Sequence, residues 1–226
     1  MRTTLPIKAV IFDCDGTLVD SETLGGRAMY ETAAQYGCTL DEPTLVHACL
    51  GSNMALSIEL MNRHSPAPMP EHFASEVRAL MALKFQQELT EMAGAKALLT
   101  ELDKRKIPFA MATNGPRAKA ELTLGITGLL PYFQRRPQYG THHDLLFSAY
   151  EHNTFKPLPE LFLLAAAALG VVPEACAAIE DSVSGLKAGL AAQMQTFSIA
   201  PLASFKEQLS PRPTELASLA SLLHYL

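Results

Sequence analysis

Hydrophobic and polar positions alternate in two different regimes along this chain. Lys8 to Phe12 (KAVIF) is a short run rich in β-branched and aromatic residues and predicts a buried strand. From Ser21 to about Leu89 no further strand pattern occurs. Apolar residues there recur at helical intervals in Glu22–Tyr36, Met54–Arg63 and Glu71–Leu89, and Pro66, Pro68 and Pro70 mark a loop between two of these helices. From Gly94 onward the pattern becomes helix then strand, repeated. AKALLTELDKRK precedes IPFAMAT, a helix near Ala118–Thr127 precedes the short LLFSAY, and PELFLLAAAALG precedes ACAAIED. This alternation predicts an α/β fold with a doubly wound parallel sheet. The sheet core takes residues 1–18 and 90–226, and a helical module, residues 19–89, is inserted after the first strand.

At 226 residues, 48% of them hydrophobic, the chain is long enough for one sizeable core, or for a core and a small second module. Its formal charge of −5 and the lack of a basic stripe argue against nucleic-acid and acidic-membrane partners. Lys104-Arg105-Lys106 and Arg135-Arg136 read as solvated loop and helix ends. MRTTLPIKAV leads into the first strand without the features of a signal peptide, and no apolar run is long enough to cross a bilayer. Cys14, Cys38, Cys49 and Cys176 are widely spaced and form no metal-ligand pairs, which suits a reduced, cytoplasmic protein.

In an open parallel sheet, ligands bind beyond the carboxyl ends of the strands, so polar residues there carry functional weight. Asp13 and Asp15 follow the first strand, Thr113 and Asn114 the second, Lys156 lies near the third, and Glu180 and Asp181 close the fourth. Two facing pairs of acids repel unless a cation lies between them, and oxygen ligands of this kind suit Mg²⁺. A lysine beside them suggests a bound anion as well.

These motifs, spread over nearly the whole chain, resemble those of the haloacid dehalogenase superfamily, in the branch with a helical cap. DCDGTLVDSE resembles its first motif, ATNG its second, Lys156 in FKPLPELF its third, and IEDSVSGLKAG its fourth. The resemblance implies a Rossmann-like core and an Mg²⁺-dependent phosphatase acting through an aspartyl-phosphate. Asp13 would be the nucleophile, and Asp15 the general acid and then base. Thr113, Asn114 and Lys156 would bind phosphate. Asp13, the backbone carbonyl of Asp15, and Asp181 would hold the metal, with Glu180 contributing charge more than coordination. The branch places its selectivity in the cap, here the Gly51-Ser52-Asn53 turn.

An acid at position 15 fits a leaving alcohol, which needs a proton, better than a halide, which does not. Sugar-phosphate mutases of this branch carry a hinge histidine twelve residues after the nucleophile and a cap arginine three after a glycine, where this chain has Gly25 and Met54. The expected substrate is therefore a phosphate monoester. FKPLPELF, LLFSAY and ATNGP resemble the capped phosphatases active on 6-phosphogluconate, which implies a small phosphorylated metabolite, a sugar or sugar-acid phosphate, and the expected assembly is a monomer or homodimer. A mutase with other cap residues and a non-catalytic phosphometabolite sensor are the alternatives. Asp20-Ser21-Glu22 reads as helix capping, Glu180-Asp181-Ser182 taken alone as a helix start, and His142-His143 as an exposed loop. The stretch Gln134–Asp144 is longer than the family usually has.

Overall fold

The computed structural model describes residues 5–49, 52, 54–134, 144–205 and 209–226. The chain divides into two compact units, Met1–Val19 with Glu91–Leu226, and Asp20–Thr90.

The first unit is built on six parallel strands: β1 (Ala9–Phe12), β2 (Phe109–Thr113), β3 (Leu146–Ser148), β4 (Cys176–Glu180), β5 (Gln195–Ser198) and β6 (Thr214–Glu215), in the spatial order β3-β2-β1-β4-β5-β6. Around them lie α5 (Ala95–Lys104), α6 (Arg117–Ile126), α7 (Leu130–Phe133), α8 (Ala149–His152), α9 (Glu160–Leu169) and α10 (Val183–Ala191). β1, β2 and β4 are buried at every residue, as unbroken apolar runs require when a parallel sheet is covered on both faces. Small residues let the covering helices approach closely. Ala110, Ala112 and Ala178 pack in one cluster with Leu161, Phe162, Ala165 and Ala188 of α9 and α10.

Order and register place the candidate site. The chain runs outward from β1 to β2 and β3, then returns to β4 on the other flank of β1, so the sequence order reverses between β1 and β4. Phe12 pairs with both Met111 and Ile179, which brings the carboxyl ends of all three strands level. The Asp13 amide then donates to the Ile179 carbonyl at 2.9 Å, extending the ladder by one residue. A strand-order reversal of this kind is where open α/β sheets bind ligands.

The second unit contains α1 (Glu22–Gln35), α2 (Glu42–Cys49), α3 (Met54–Arg63) and α4 (Phe73–Glu88), and no strand among its described residues. Its core gathers Met29, Ala33, Leu45, Met61, Phe73 and Val77. The largely buried Lys84 ammonium reaches the more exposed Glu31 carboxylate at 2.7 Å, tying α4 to α1. The expected capping at Ser21 takes a different form. Ser21 precedes α1 with φ −95° and ψ −18° and makes no side-chain capping bond, because an N-cap hydroxyl reaches the first amides from an extended backbone. Glu22 supplies the acid of the first turn. In the first unit LLFSAY is strand only at Leu146–Ser148, and Ala149 begins α8.

Candidate active site

Asp13 lies one residue beyond β1, largely buried, and Lys156 reaches it from the segment between α8 and α9. The Lys156 ammonium donates to Asp13 Oδ1 at 2.5 Å, to the Ala112 carbonyl at 2.7 Å and to Glu180 Oε1 at 2.5 Å, and it stands 5.0 Å from the centre of the Phe162 ring. Three donors thus meet three acceptors. Nothing in the apolar surroundings of LLFSAY and FKPLPELF discloses this burial, which arises because the segment folds back under the ends of β2 and β4.

Asn114 shows why the lysine stays there. Its amide nitrogen donates to the Lys156 carbonyl at 3.2 Å, and its amide oxygen accepts from the Lys156 N–H at 2.8 Å. The side chain expected to contact phosphate therefore clasps the Lys156 backbone. Thr113, at the end of β2, accepts the Gly115 N–H at 2.9 Å on its hydroxyl oxygen, which leaves the hydroxyl hydrogen to point at a ligand.

On the other side of Asp13, β4 ends in Glu180, fully buried, and Asp181 follows. Glu180 Oε1 takes Lys156 and Oε2 accepts the Ser182 hydroxyl at 3.1 Å. Ser182 caps α10, its oxygen accepting from the Gly185 N–H at 3.1 Å, so this segment is both a helix start and part of the site. Thr17 donates to Asp181 Oδ1 at 3.3 Å. Carboxylate oxygens of Asp13, Glu180 and Asp181 lie within 4.8 Å of one another. An all-oxygen, acidic set of this spacing fits a hard divalent cation. Asp15 stands outside that triad, its Oδ1 held by the Lys119 ammonium at 2.9 Å.

Burial is the largest influence on Asp13 and pushes its carboxyl up to about 8, against the lowering pull of Lys156, with Glu180 and Asp15 adding to the rise. For Lys156 burial acts downward, but the charges of Asp13 and Glu180 outweigh it and hold the ammonium above its ordinary range. The thiol of Cys14, between the two aspartates, is pushed well up, first by burial and then by Asp15 and Asp13, and is unsuited to act as a nucleophile.

Two glycines make room for the acids. Gly16 has φ +74°, and a Cβ there would stand 2.1 Å from Asp181 Oδ2; a Cβ on Gly185 would fall 1.8 Å from the Glu180 carboxyl carbon. Gly185→Ala is expected to displace Glu180 from Lys156, costing about 1–3 kcal/mol of stability in a denaturant titration, along with much of the activity. An unshifted midpoint with full activity would show that Glu180 can move without consequence.

Spacing alone did not single out Thr17, Ser182 or Lys119. Lys119 carries a weak signal: with Arg117 it puts a cation into the first turn of a helix, where the dipole disfavours one, so a carboxylate partner is to be expected. Gly51 and Asn53 lie outside the described residues, as do His142 and His143. Ser52 is described, and its N–H donates to the Cys49 carbonyl at 3.0 Å. Gly25 is buried within α1, where a Cβ would already come 3.2 Å from the Met81 methyl, so the mutase histidine has no room without a shift of Met81.

A largely buried carboxylate bonded by a lysine, beside a cluster of carboxylates spaced to hold a cation, thus lies at the carboxyl end of a Rossmann-like parallel sheet. The chain belongs to the haloacid dehalogenase-like hydrolases, whose family pattern matches residues 7–193. It is 33% identical to the 6-phosphogluconate phosphatase of Escherichia coli K12, over 96% of this chain and 93% of that protein. Hexitol phosphatase B of the same strain is 28% identical, over 98% of this chain and 97% of its own. Among solved structures, a haloacid dehalogenase family hydrolase of Deinococcus radiodurans with bound phosphate and sodium superposes with a TM-score of 0.75 at 26% identity, covering 96% of this chain and 93% of that one. With such relatives, the enzyme class is phosphoric monoester hydrolase. No helix among the described residues is long and apolar enough to cross a membrane.

Proposed function

We propose that the protein is an Mg²⁺-dependent phosphatase of a small sugar or sugar-acid phosphate, with 6-phosphogluconate the leading candidate, acting through a phosphorylated Asp13. The observation that carries this is the clamp of Lys156 on Asp13 Oδ1, which holds the carboxylate in one orientation at the carboxyl end of β1. Likeness to the Escherichia coli enzyme supports the substrate.

Asp13, Asp181 and the Asp15 carbonyl would hold the cation, and Glu180, both of whose oxygens are already engaged, would add charge. When bound, the cation offsets the repulsion between the carboxylates and the phosphate and polarises the phosphoryl group. Asp13 attacks phosphorus as the bond to the alcohol oxygen breaks, and Asp15 delivers its proton to that oxygen. Asp15 then takes a proton from water as the water attacks phosphorus, which restores Asp13 and yields inorganic phosphate. Thr113 donates its hydroxyl hydrogen to a phosphate oxygen throughout. Asn114 serves by holding Lys156 in place.

In this reading the unit Asp20–Thr90 is the cap, and its residues Gly51, Ser52 and Asn53 select the leaving group. Phosphate release across sugar phosphates, hexitol phosphates, sugar-acid phosphates and phosphoglycolate, with Mg²⁺ present, tests the function. The highest kcat/KM is expected on 6-phosphogluconate. Conversion of a sugar phosphate into its isomer without phosphate release would favour a mutase instead. Asn53→Ala is expected to change the ranking of esters in the same panel, whereas uniform rates with an unchanged ranking would remove Asn53 from substrate selection.

A further inference from the structure

We infer that Lys119 is a positioning residue for Asp15, holding its carboxyl in the orientation from which the proton reaches the leaving oxygen. The inference rests on the general-acid reading of Asp15 given above. Asp15 has no rigid support from the sheet ladder, since it stands in the turn beyond β1, in an isolated bridge with Val19. Its Oδ1 nevertheless meets a placed neighbour, the Lys119 ammonium at 2.9 Å, and Lys119 belongs to the segment that leaves β2.

The position of Lys119 is itself secured. Its N–H donates to the Pro116 carbonyl at 3.0 Å in the first turn of α6, and the preceding Thr113 to Gly115 turn is closed by a 2.9 Å bond. A lysine so near a helix start opposes the dipole. Arg117 in the same turn is balanced by Glu151 and Glu121, and Lys119 by Asp15. Side-chain exposures of 31% for Lys119 and 19% for Asp15 keep the pair partly shielded from solvent, so the contact can constrain the carboxyl where a fully exposed pair would do little.

The consequence depends on the leaving group. Asp13 forms its bond to phosphorus as the bond to the ester oxygen breaks, and an alkoxide leaves poorly unless Asp15 supplies a proton to that oxygen. Nitrophenolate leaves without one. A misplaced Asp15 therefore harms alkyl esters more than nitrophenyl esters, which a general loss of structure does not do.

The test measures kcat/KM of the full chain with Mg²⁺ on 6-phosphogluconate and on p-nitrophenyl phosphate, for Lys119→Met, Lys119→Gln, Lys119→Arg, Asp15→Asn and the Asp15→Asn/Lys119→Met double variant. Lys119→Met and Lys119→Gln are expected to lower the ratio of the two constants by about tenfold, and Lys119→Arg to restore most of it. In the Asp15→Asn background, Lys119→Met should lower the ratio no further. A ratio unchanged in Lys119→Met and Lys119→Gln, or a further fall in the double variant, overturns the inference. If Asp15→Asn itself leaves the ratio unchanged, the general-acid reading has failed and the inference falls with it. If only Asp15→Asn lowers the ratio, Lys119 alone is dismissed.

Discussion

Asp13→Asn is expected to lower turnover by about four orders of magnitude or more while the protein stays folded. The amide has nearly the size of the carboxyl, and Lys156 retains the Ala112 carbonyl and Glu180 as acceptors, so the end of β1 keeps its packing. What is lost, on the proposed mechanism, is the negative oxygen that attacks phosphorus. No neighbouring group replaces it: Glu180 is fully buried and committed to Lys156 and Ser182, and the Cys14 thiol is held protonated by its burial. Steady-state phosphate release, with a thermal melt run alongside, makes the check. Turnover within tenfold of the unaltered enzyme would remove Asp13 from the mechanism, because covalent catalysis cannot be lost so cheaply.

Chelation of divalent cations is expected to abolish activity, with Mg²⁺ restoring it and Ca²⁺ inhibiting, since the larger and looser calcium shell misplaces the attack that an octahedral ion aligns. The buried acids add a dependence on pH. In the metal-free protein burial pushes Asp13 up to about 8, far above an unfolded carboxyl, so between about 4 and 8 the folded state holds a proton that the unfolded chain releases. The contribution of Asp13 to stability is therefore present at low pH and is lost as pH rises through about 8. A cation that needs the ionised carboxylate competes with that proton, and its apparent affinity should fall by about tenfold per pH unit below 8. The rise in melting temperature on adding Mg²⁺ should consequently be larger at pH 8 than at pH 6. Full turnover in chelator would mean that Asp13 and Asp181 do not hold a required cation, and a thermal shift independent of pH that the cation does not compete with a proton on Asp13.

Much of this site was legible because its residues sit at strand ends, and strand ends are marked by pattern. The apolar run before Asp13, the apolar run of IPFAMAT ending in Thr113, and ACAAIED with Glu180 and Asp181 at its close each locate a polar group at the carboxyl edge of a sheet. Lys156 was a weaker case, eight residues past the end of β3, and it joined the site through the company of the other motifs rather than its own context. The strands β5 and β6 escaped because QTFS and the two-residue Thr214–Glu215 are too short and too polar at their edges to show a period. Contacts made by side chains across the fold were illegible in a different way. That Asn114 clasps the Lys156 backbone, 42 positions on, depends on how the segment after β3 folds back, and no local spacing encodes it. The pairing of Lys119 with Asp15 likewise joins the start of α6 to the turn after β1, across the inserted unit, α5 and β2.

The central claim is that the phosphoryl group passes through Asp13. Mixing the enzyme with 6-phosphogluconate and Mg²⁺, quenching in acid within the first turnover, and analysing the peptides by mass spectrometry tests it most directly. The account predicts one phosphoryl group on the peptide containing Asp13, on that residue and not on Asp15, disappearing as phosphate accumulates and absent from Asp13→Asn. Rapid phosphate release with no phosphorylated Asp13 at any quench time, in a protein whose turnover survives Asp13→Asn, would contradict it.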